Sequence, residues 1–369
     1  MTGTVQNNIS FYFSELAGAF GDFGTIIPLI LAVALVTGMN VGIILLFFGI
    51  WFMATGWYYG LPIPIEPMKA IAVIAIAEKM STGEIAAAGL ILGLLFLLMS
   101  YGPLFLWLET FIPVSVIRGI QLGLALLLIK STAGFVLKDP FFSGFGLAVI
   151  LAFLLLTLYR PQVPDLSALV LIGIGLAAGI AADGFPKIHA FPLPGLFIPS
   201  YQDTLHAIYE LVPSQMFLTV TNAILATALL TRDLFQRDIP PARFSRTIGL
   251  MNLASVPFGG FPMCHGAGGL AAQYRYGART ALASVFAGII FCVVAILFGS
   301  PETLLLIPVG VFGALLLFAA LEMGKHSVRT ESVPVTVLIG VLAVVLSMTA
   351  AFIIGIIAAL LLRRLGRTV

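Results

Sequence analysis

Apolar runs long enough to cross a bilayer follow one another along this chain, separated by short joints rich in Gly, Pro and charged residues. The hydrocarbon core is about 30 Å thick and a helix rises about 1.5 Å per residue, so about 20 apolar residues read as one transmembrane helix. Runs and their breaks predict spans over 12–37, 41–60, 67–79, 84–101, 111–130, 141–158 and 166–182 in the first half. The second half gives 213–231, 244–257, 263–275, 279–299, 302–323, 333–348 and 350–363. The chain then divides into a first repeat over 1–182, a Pro-rich linker over 183–212 and a second repeat over 213–369. The linker carries a predicted amphipathic helix around Asp203–Leu211.

Two runs carry the same device, PIPIEPMK from Pro62 and PFGGFPMC from Pro257. Pro62 and Pro257, Pro67 and Pro262, and Met68 and Met263 are each 195 residues apart, and Ile112-Pro113-Val114 and Ile307-Pro308-Val309 share that offset. One offset in separate segments predicts a duplicated chain, and seven spans per copy would turn the second copy over, giving an inverted-topology repeat. Spans 3 and 10 are too short to cross as helices. They are expected to be half-helices starting mid-membrane, with Pro67 and Pro262 at the first helical position. Extended approaches over Leu61–Glu66 and Phe258–Phe261 would lead into them, which membrane depth tolerates only inside protein or along a cavity. Inversion makes the two N-termini face each other. Each offers unpaired N–H groups and roughly half a positive charge, so the gap between them is an expected anion site. The run Cys264-His265-Gly266-Ala267-Gly268-Gly269 would let backbone amides close on a compact tetrahedral oxyanion, although small residues serve close helix packing equally well.

Composition agrees with the pattern. Of 369 residues, 60% are hydrophobic and 9% charged, and the mean hydropathy is +1.12, which excludes a water-soluble globular domain. The expected fold class is an all-α polytopic membrane protein with 14 transmembrane segments in a 7+7 inverted repeat. The first run starts near Phe11 without a basic flank and continues through Gly21-Asp22, so it reads as a retained span and not a cleaved signal. With the N-terminus inside, cytoplasmic joints collect Arg160, Arg232, Arg237, Arg243, Arg246, Arg275, Arg279, Lys325, Arg329, Arg363, Arg364 and Arg367. Outer joints hold Lys79, Lys130, Lys138 and Lys187, and this imbalance predicts both termini cytoplasmic. The expected setting is a prokaryotic cytoplasmic membrane. Cys264 and Cys292 lack the partner spacing of a disulfide framework or zinc site, and no HExxH, GxSxG or CxxC spacing occurs. No enzyme, metal, cofactor or nucleic-acid partner is therefore implied.

Ionisable and polar residues at membrane depth are costly there and default to functional candidates. They are Asp22, Glu66, Lys69, Asn222 and His265. Lys69 could equally form a structural ion pair with Glu66 or Asp22, Asp22 could brace the glycine-flanked break in span 1, and His265 could be a satisfied core histidine. Arg118 and Gln121 share a helix face and serve either a domain interface or ligand. Glu15 and Glu322 read as solvated span ends.

Five segments stand out: SELAGAFGDFGT from Ser14, PIPIEPMKAIAVIA from Pro62, RGIQLGLALL from Arg118, LTVTNAILATALL from Leu218 and CHGAGGLAAQYRYGART from Cys264. Together they resemble the molybdate transporters of the SulP-type sulfate permease superfamily. The resemblance implies a core domain from spans 1–4 and 8–11 and a gate domain from spans 5–7 and 12–14. SulP-type relatives often add a cytoplasmic C-terminal regulatory domain, which the molybdate branch is similar to this chain in lacking. The family site, carried over by position, would use Gly21, Asp22, Gly24 and Thr25 in span 1 and Glu66, Pro67, Met68 and Lys69 at span 3. It would also use Thr221 and Asn222 in span 8 and Cys264, His265 and Gly266 at span 10. Two positions depart from the pattern, Glu66 where glutamine is usual and Phe217 where proline is usual.

A buried carboxylate beside a dianion is repelled strongly, so Glu66 is expected to bind substrate only when protonated. The implied activity is secondary active import of molybdate, with tungstate or sulfate as further substrates, coupled to protons through Glu66, Asp22 or His265. A sulfate transporter of the same architecture and an anion channel are the rivals. Membrane lipid and a second copy, as a homodimer, are the expected partners.

Overall fold

A computed structural model describes residues 2–101, 113–160, 166–185 and 194–364. Ile112, Lys187, Arg367 and the side chain of Glu322 lie outside what is described. The chain opens with α1 (Thr2–Ala19), a 3-10 turn (Phe20–Asp22), α2 (Phe23–Thr37) and α3 (Val41–Tyr59). A two-residue strand β1 (Glu66–Pro67) leads to the short α4 (Lys69–Glu78), then α5 (Thr82–Met99), α6 (Val114–Lys138), α7 (Pro140–Tyr159) and α8 (Ser167–Asp183). The surface helix α9 (Tyr201–Glu210) precedes α10 (Val212–Leu218), a π-helical segment (Thr219–Leu225) and α11 (Ala226–Phe235). Then follow α12 (Pro241–Ser255), β2 (Met263–Cys264), α13 (Ala267–Arg275), α14 (Ala281–Phe298), α15 (Pro301–Leu306), α16 (Val309–Ser327), α17 (Val333–Val345) and α18 (Met348–Arg364).

Among the described residues, six continuous helical stretches are long and apolar enough to cross a membrane, over Phe11–Thr37, Val41–Tyr59, Thr82–Met99, Val114–Lys138, Val212–Phe235 and Ala281–Phe298. Their outward faces are apolar, with Trp57 85%, Leu137 81% and Leu98 62% exposed. In water such faces would aggregate, whereas lipid solvates them. The protein is a multi-pass, all-helical integral membrane protein. Helix α3 packs along α14 and α5 along α12, while α6 packs along both α16 and α17. The first of these contacts needs glycine on both sides: a methyl on Gly49 would meet the Gly288 carbonyl oxygen at 2.7 Å, and one on Gly288 the Gly49 oxygen at 2.6 Å. Dispersion contact between closely approaching backbones is the main attraction available to helices in lipid.

Helix ends follow local chemistry. Ser81 and Glu84 form a capping box at the start of α5, as do Ser200 and Asp203 at α9. Pro113 and Pro308 of the repeated Ile-Pro-Val motif each stand immediately before a helix, at α6 and α16. The span read over 302–323 is therefore interrupted, with α15 ending at Leu306 before α16 begins.

The short helices α4 and α13 have ten and nine residues, about 15 Å of rise, half the hydrocarbon thickness. Two details differ from the sequence reading. Pro67 lies in β1 and Pro262 precedes β2, and the helices start at Lys69 and Ala267. The prolines thus keep the chain extended, as fixed φ and a missing N–H allow, and do not occupy the first helical turn. On the second approach, Val256–Phe258 forms a 3-10 turn, so the extended stretch begins after Gly259.

Candidate functional site

Strands β1 and β2 pair antiparallel, Glu66 opposite Cys264 and Pro67 opposite Met263, with Met68 N donating to Pro262 O at 2.9 Å. The pairing brings the starts of α4 and α13 side by side. Side chains absorb the remaining backbone groups of these extended segments, as burial in a membrane protein demands. Asn252 accepts from Met263 N at 2.9 Å and donates to Met263 O at 2.7 Å, and Ser284 donates to Ile63 O at 3.2 Å.

His265 belongs to this bracing. Its Nδ1 donates to Pro64 O at 3.0 Å and its Nε2 lies 2.7 Å from the Thr247 hydroxyl, with the Tyr59 and Phe244 rings edge-on at 5.9 and 5.5 Å. Both nitrogens are engaged and the ring is fully buried. His265 thus braces the extended segment, as the alternative of a satisfied core histidine anticipates.

A cavity of about 370 Å³ lies beside the paired strands. Gly21, Asp22, Gly24 and Thr25 from the break between α1 and α2 line it, as do Glu66 and Lys69, Asn222 of the π-helical segment, and Gly268 and Gly269 of α13. Arg118 and Gln121 of α6 and Phe318, Met323 and Lys325 of α16 also line it, as do Arg275 and Tyr276 at the C-terminal end of α13. Seven of the thirteen residues proposed from sequence thus meet in one cavity: Gly21, Asp22, Gly24, Thr25, Glu66, Lys69 and Asn222. Pro67, Met68, Thr221, Cys264, His265 and Gly266 are not among its lining residues. Thr221 instead donates to Phe217 O at 2.9 Å within its own helix.

The two half-helix termini are not bare. Gln215 of α10 accepts from Ala70 N at 2.8 Å and Ile71 N at 3.4 Å while donating to the Thr219 hydroxyl at 2.8 Å. It caps α4 with a neutral oxygen. On α13, Glu66 Oε1 accepts from Gly269 N at 3.0 Å. Its Oε2 pairs with Lys69 Nζ at 2.6 Å, and the residue is 1% exposed. The expectation of two rows of unpaired amides is corrected accordingly: side chains already satisfy the amides of Ala70, Ile71 and Gly269.

Asp22 is 3% exposed, and its Oδ2 has no hydrogen-bond donor. Two carboxylates and one ammonium therefore converge at the strand pair, with Arg118, Arg275 and Lys325 on the surrounding wall. Arg118 is oriented by its own bonds, Nη1 to Gln121 Oε1 at 3.0 Å and Nε to Arg329 O at 3.1 Å. Glu15 departs from its reading as a solvated span end. It is fully buried and accepts from Arg279 N and Thr280 N, both at 3.0 Å, just before α14.

Sequence reasoning missed Gln215 and the π-helical turn that presents Asn222. The i→i+5 pattern leaves no compositional trace, yet it is a frequent mark of functional sites.

A family model described as "Molybdate transporter of MFS superfamily" matches residues 14–128 and 207–323. The chain is 32% identical over 370 residues to molybdate transporter 2 of Arabidopsis thaliana, covering 85% of this chain and 78% of that one. It is 25% identical over 441 residues to molybdate transporter 1 of Chlamydomonas reinhardtii, covering 86% and 84%. These relatives are plant and algal and give no support to a prokaryotic membrane. Among solved structures, the transmembrane domain of a cyanobacterium bicarbonate transporter, BicA, superposes with a TM-score of 0.63 at 16% identity, over 94% of this chain and 96% of that one. Murine Solute Carrier 26 family member A9, an anion transporter in the inward-facing state, gives 0.71 at 13% identity over 96% and 68%. At such identities the likeness establishes the fold alone, and it is the SulP-type fold that the resemblance implied.

Proposed function

Because the chain belongs to the molybdate transporter family, we propose that it imports molybdate, or a tetrahedral dianion of similar shape such as tungstate or sulfate, by alternating access. The observation that carries this is the cavity between the strand pair and the α6/α16 wall, where Lys69, Arg118, Arg275 and Lys325 outnumber Asp22 and Glu66. Gly268 exposes its backbone there at the start of α13, at the positive end of the helix dipole.

Alternating access would move two units past each other. The core contains the break, α3, α4, α5 and their counterparts through α14, and the gate is built on α6–α8 and α16–α18. A fourteen-span inverted repeat suits this division. Helices α5 and α14 have 18 residues each, α6 and α16 both follow a proline, and β1 pairs with β2. Both termini are cytoplasmic on the balance of basic residues, and the cavity reaches the end of α13 that carries Arg275. The structure is then read as inward-open.

Proton coupling through Glu66 is the finer part of the proposal. Purified protein in liposomes should accumulate labelled molybdate saturably and without single-channel current, faster as external pH falls. Glu66→Gln should abolish the pH effect, and excess sulfate tests which oxyanion is preferred. Currents without saturable uptake would replace the transporter with a channel.

A further inference from the structure

At the start of α13 a side chain already sits where an anion would be held. Glu66 Oε1 accepts the Gly269 amide at 3.0 Å, the third N–H of that helix. A methyl on Gly266 would fall on the Glu66 carboxylate, and one on Gly269 would stand 2.6 Å from Glu66 Oε1. The carboxylate thus lies flat across the first turn of α13, and only glycine leaves room for it. One residue away the position is open, since nothing lies within 4 Å of where a Cβ on Gly268 would stand.

We propose that Glu66 is a tethered occupant of the oxyanion subsite at the head of α13, and that substrate loads by displacing it. The inference rests on the oxyanion-transport reading above and adds what the site does when empty. A carboxylate and a dianion repel strongly at short range in a low-dielectric cavity. They compete for the Gly269 amide and for the Lys69 ammonium, which Glu66 Oε2 holds at 2.6 Å.

The groups facing Glu66 also provide the exit. Asp22 Oδ2, from the break between α1 and α2, is buried without a donor, and it converges with Glu66 on the same point above Gly269. A proton arriving from water on Glu66 gives it an O–H to donate to Asp22. The Gly269 N–H and the Lys69 ammonium are then released to the incoming anion. On the paired strand and just beyond it lie the Cys264 thiol and the His265 ring, the ring held between Pro64 O and the Thr247 hydroxyl, and the basic side chains of Arg118, Arg275 and Lys325 also line the cavity. Asp22, Glu66 and Lys69 together change from one net negative charge to none.

Equilibrium binding of tungstate to the purified full-length protein, followed across about two pH units around neutrality, tests this. In the wild type, Kd should rise with pH by up to about tenfold per unit, the slope for one linked proton. Glu66→Ala should flatten that slope and bind at least about tenfold tighter than wild type at the alkaline end, because the competitor is gone. Glu66→Gln keeps the shape without the charge, so it should also be flat and should remain informative if the alanine variant does not fold. The proposal is overturned if both variants bind more weakly than wild type at alkaline pH, or if either keeps the wild-type slope. Wild-type binding that is tight and independent of pH would overturn it while leaving oxyanion transport intact. No tungstate binding by any form at any pH would remove the transport reading itself.

Discussion

At the scale of single residues, the site is governed by who holds the first-turn amides. Gln215 supplies one neutral oxygen to Ala70 N and Ile71 N and is 1% exposed, so no water takes over when it is removed. Gln215→Leu should cost about 1–3 kcal/mol, the penalty of burying donors without an acceptor, read as a lower unfolding temperature in detergent. Gln215→Glu keeps an acceptor but adds negative charge near Glu66, and oxyanion binding should weaken while the fold persists. Lys69 presents a different balance. Its 2.6 Å pair with Glu66 is buried on the glutamate side, and removing one partner of such a pair costs about 3–5 kcal/mol, because the other charge is left uncompensated. Lys69→Met should therefore destabilise the protein more than Gln215→Leu does, and Glu66→Gln added to Lys69→Met should restore most of the loss. A double variant as unstable as Lys69→Met alone would show that the ion pair is not the cause.

At the scale of elements, the surface helix α9 is fastened to α5 by an interlocked pair of caps. The Ser200 hydroxyl and amide donate to Asp203 Oδ2 at 2.7 and 2.9 Å, and Ser81 donates to Asp203 Oδ1 at 3.1 Å, with Glu84 bonded to His206. These bonds hold the Asp203 carboxyl below the usual carboxylate range, the Ser200 hydroxyl contributing most. A depressed carboxyl stabilises the folded form above its unfolded value and loses that contribution as pH falls through the folded one. Hydrogen exchange over residues 201–210 should therefore accelerate only on strong acidification, and Asp203→Ala should show the faster exchange already at neutral pH. Unchanged exchange in that variant would mean that α9 is held by its apolar face alone. The helix itself was legible in the sequence because its capping residues and amphipathic pattern are local. The half-helices were legible for the same reason, since Pro67, Pro262 and the glycines after Cys264 forbid continuous helix where hydropathy alone would draw one. What joins these pieces was not legible. Gln215 caps a helix 145 positions away in sequence, Glu15 caps one 264 positions away, and His265 turns to Pro64 across 201 positions. Such partners are set by tertiary packing, and no spacing rule anticipates them.

At the scale of the whole molecule, the cavity is lined both by the break between α1 and α2 with α13 and by α6 with α16, and Arg275, Tyr276 and Lys325 are among its lining residues. In the proposed orientation these basic residues face the cytoplasm, as positively charged joints favour, and the cavity is expected to be reached from that side. Two positions report on this without crowding. Ala271 is exposed and lines the cavity, and Gly268 lines it with empty space where a side chain would stand. In a background lacking Cys264 and Cys292, Ala271→Cys and Gly268→Cys should react with a membrane-impermeant thiol reagent applied from the cytoplasmic face. His206→Cys, on the exposed linker helix, should react only from the opposite face. Molybdate should slow labelling at Gly268→Cys more than at Ala271→Cys, because the first lies at the head of α13 where the anion is placed and the second lies a turn further along. A molecule that alternates must also show the reverse state, so an outward substrate gradient should shift part of the Gly268→Cys reactivity to the external face. Labelling confined to one face under every gradient would describe a fixed pocket and would remove the moving core and gate from the mechanism.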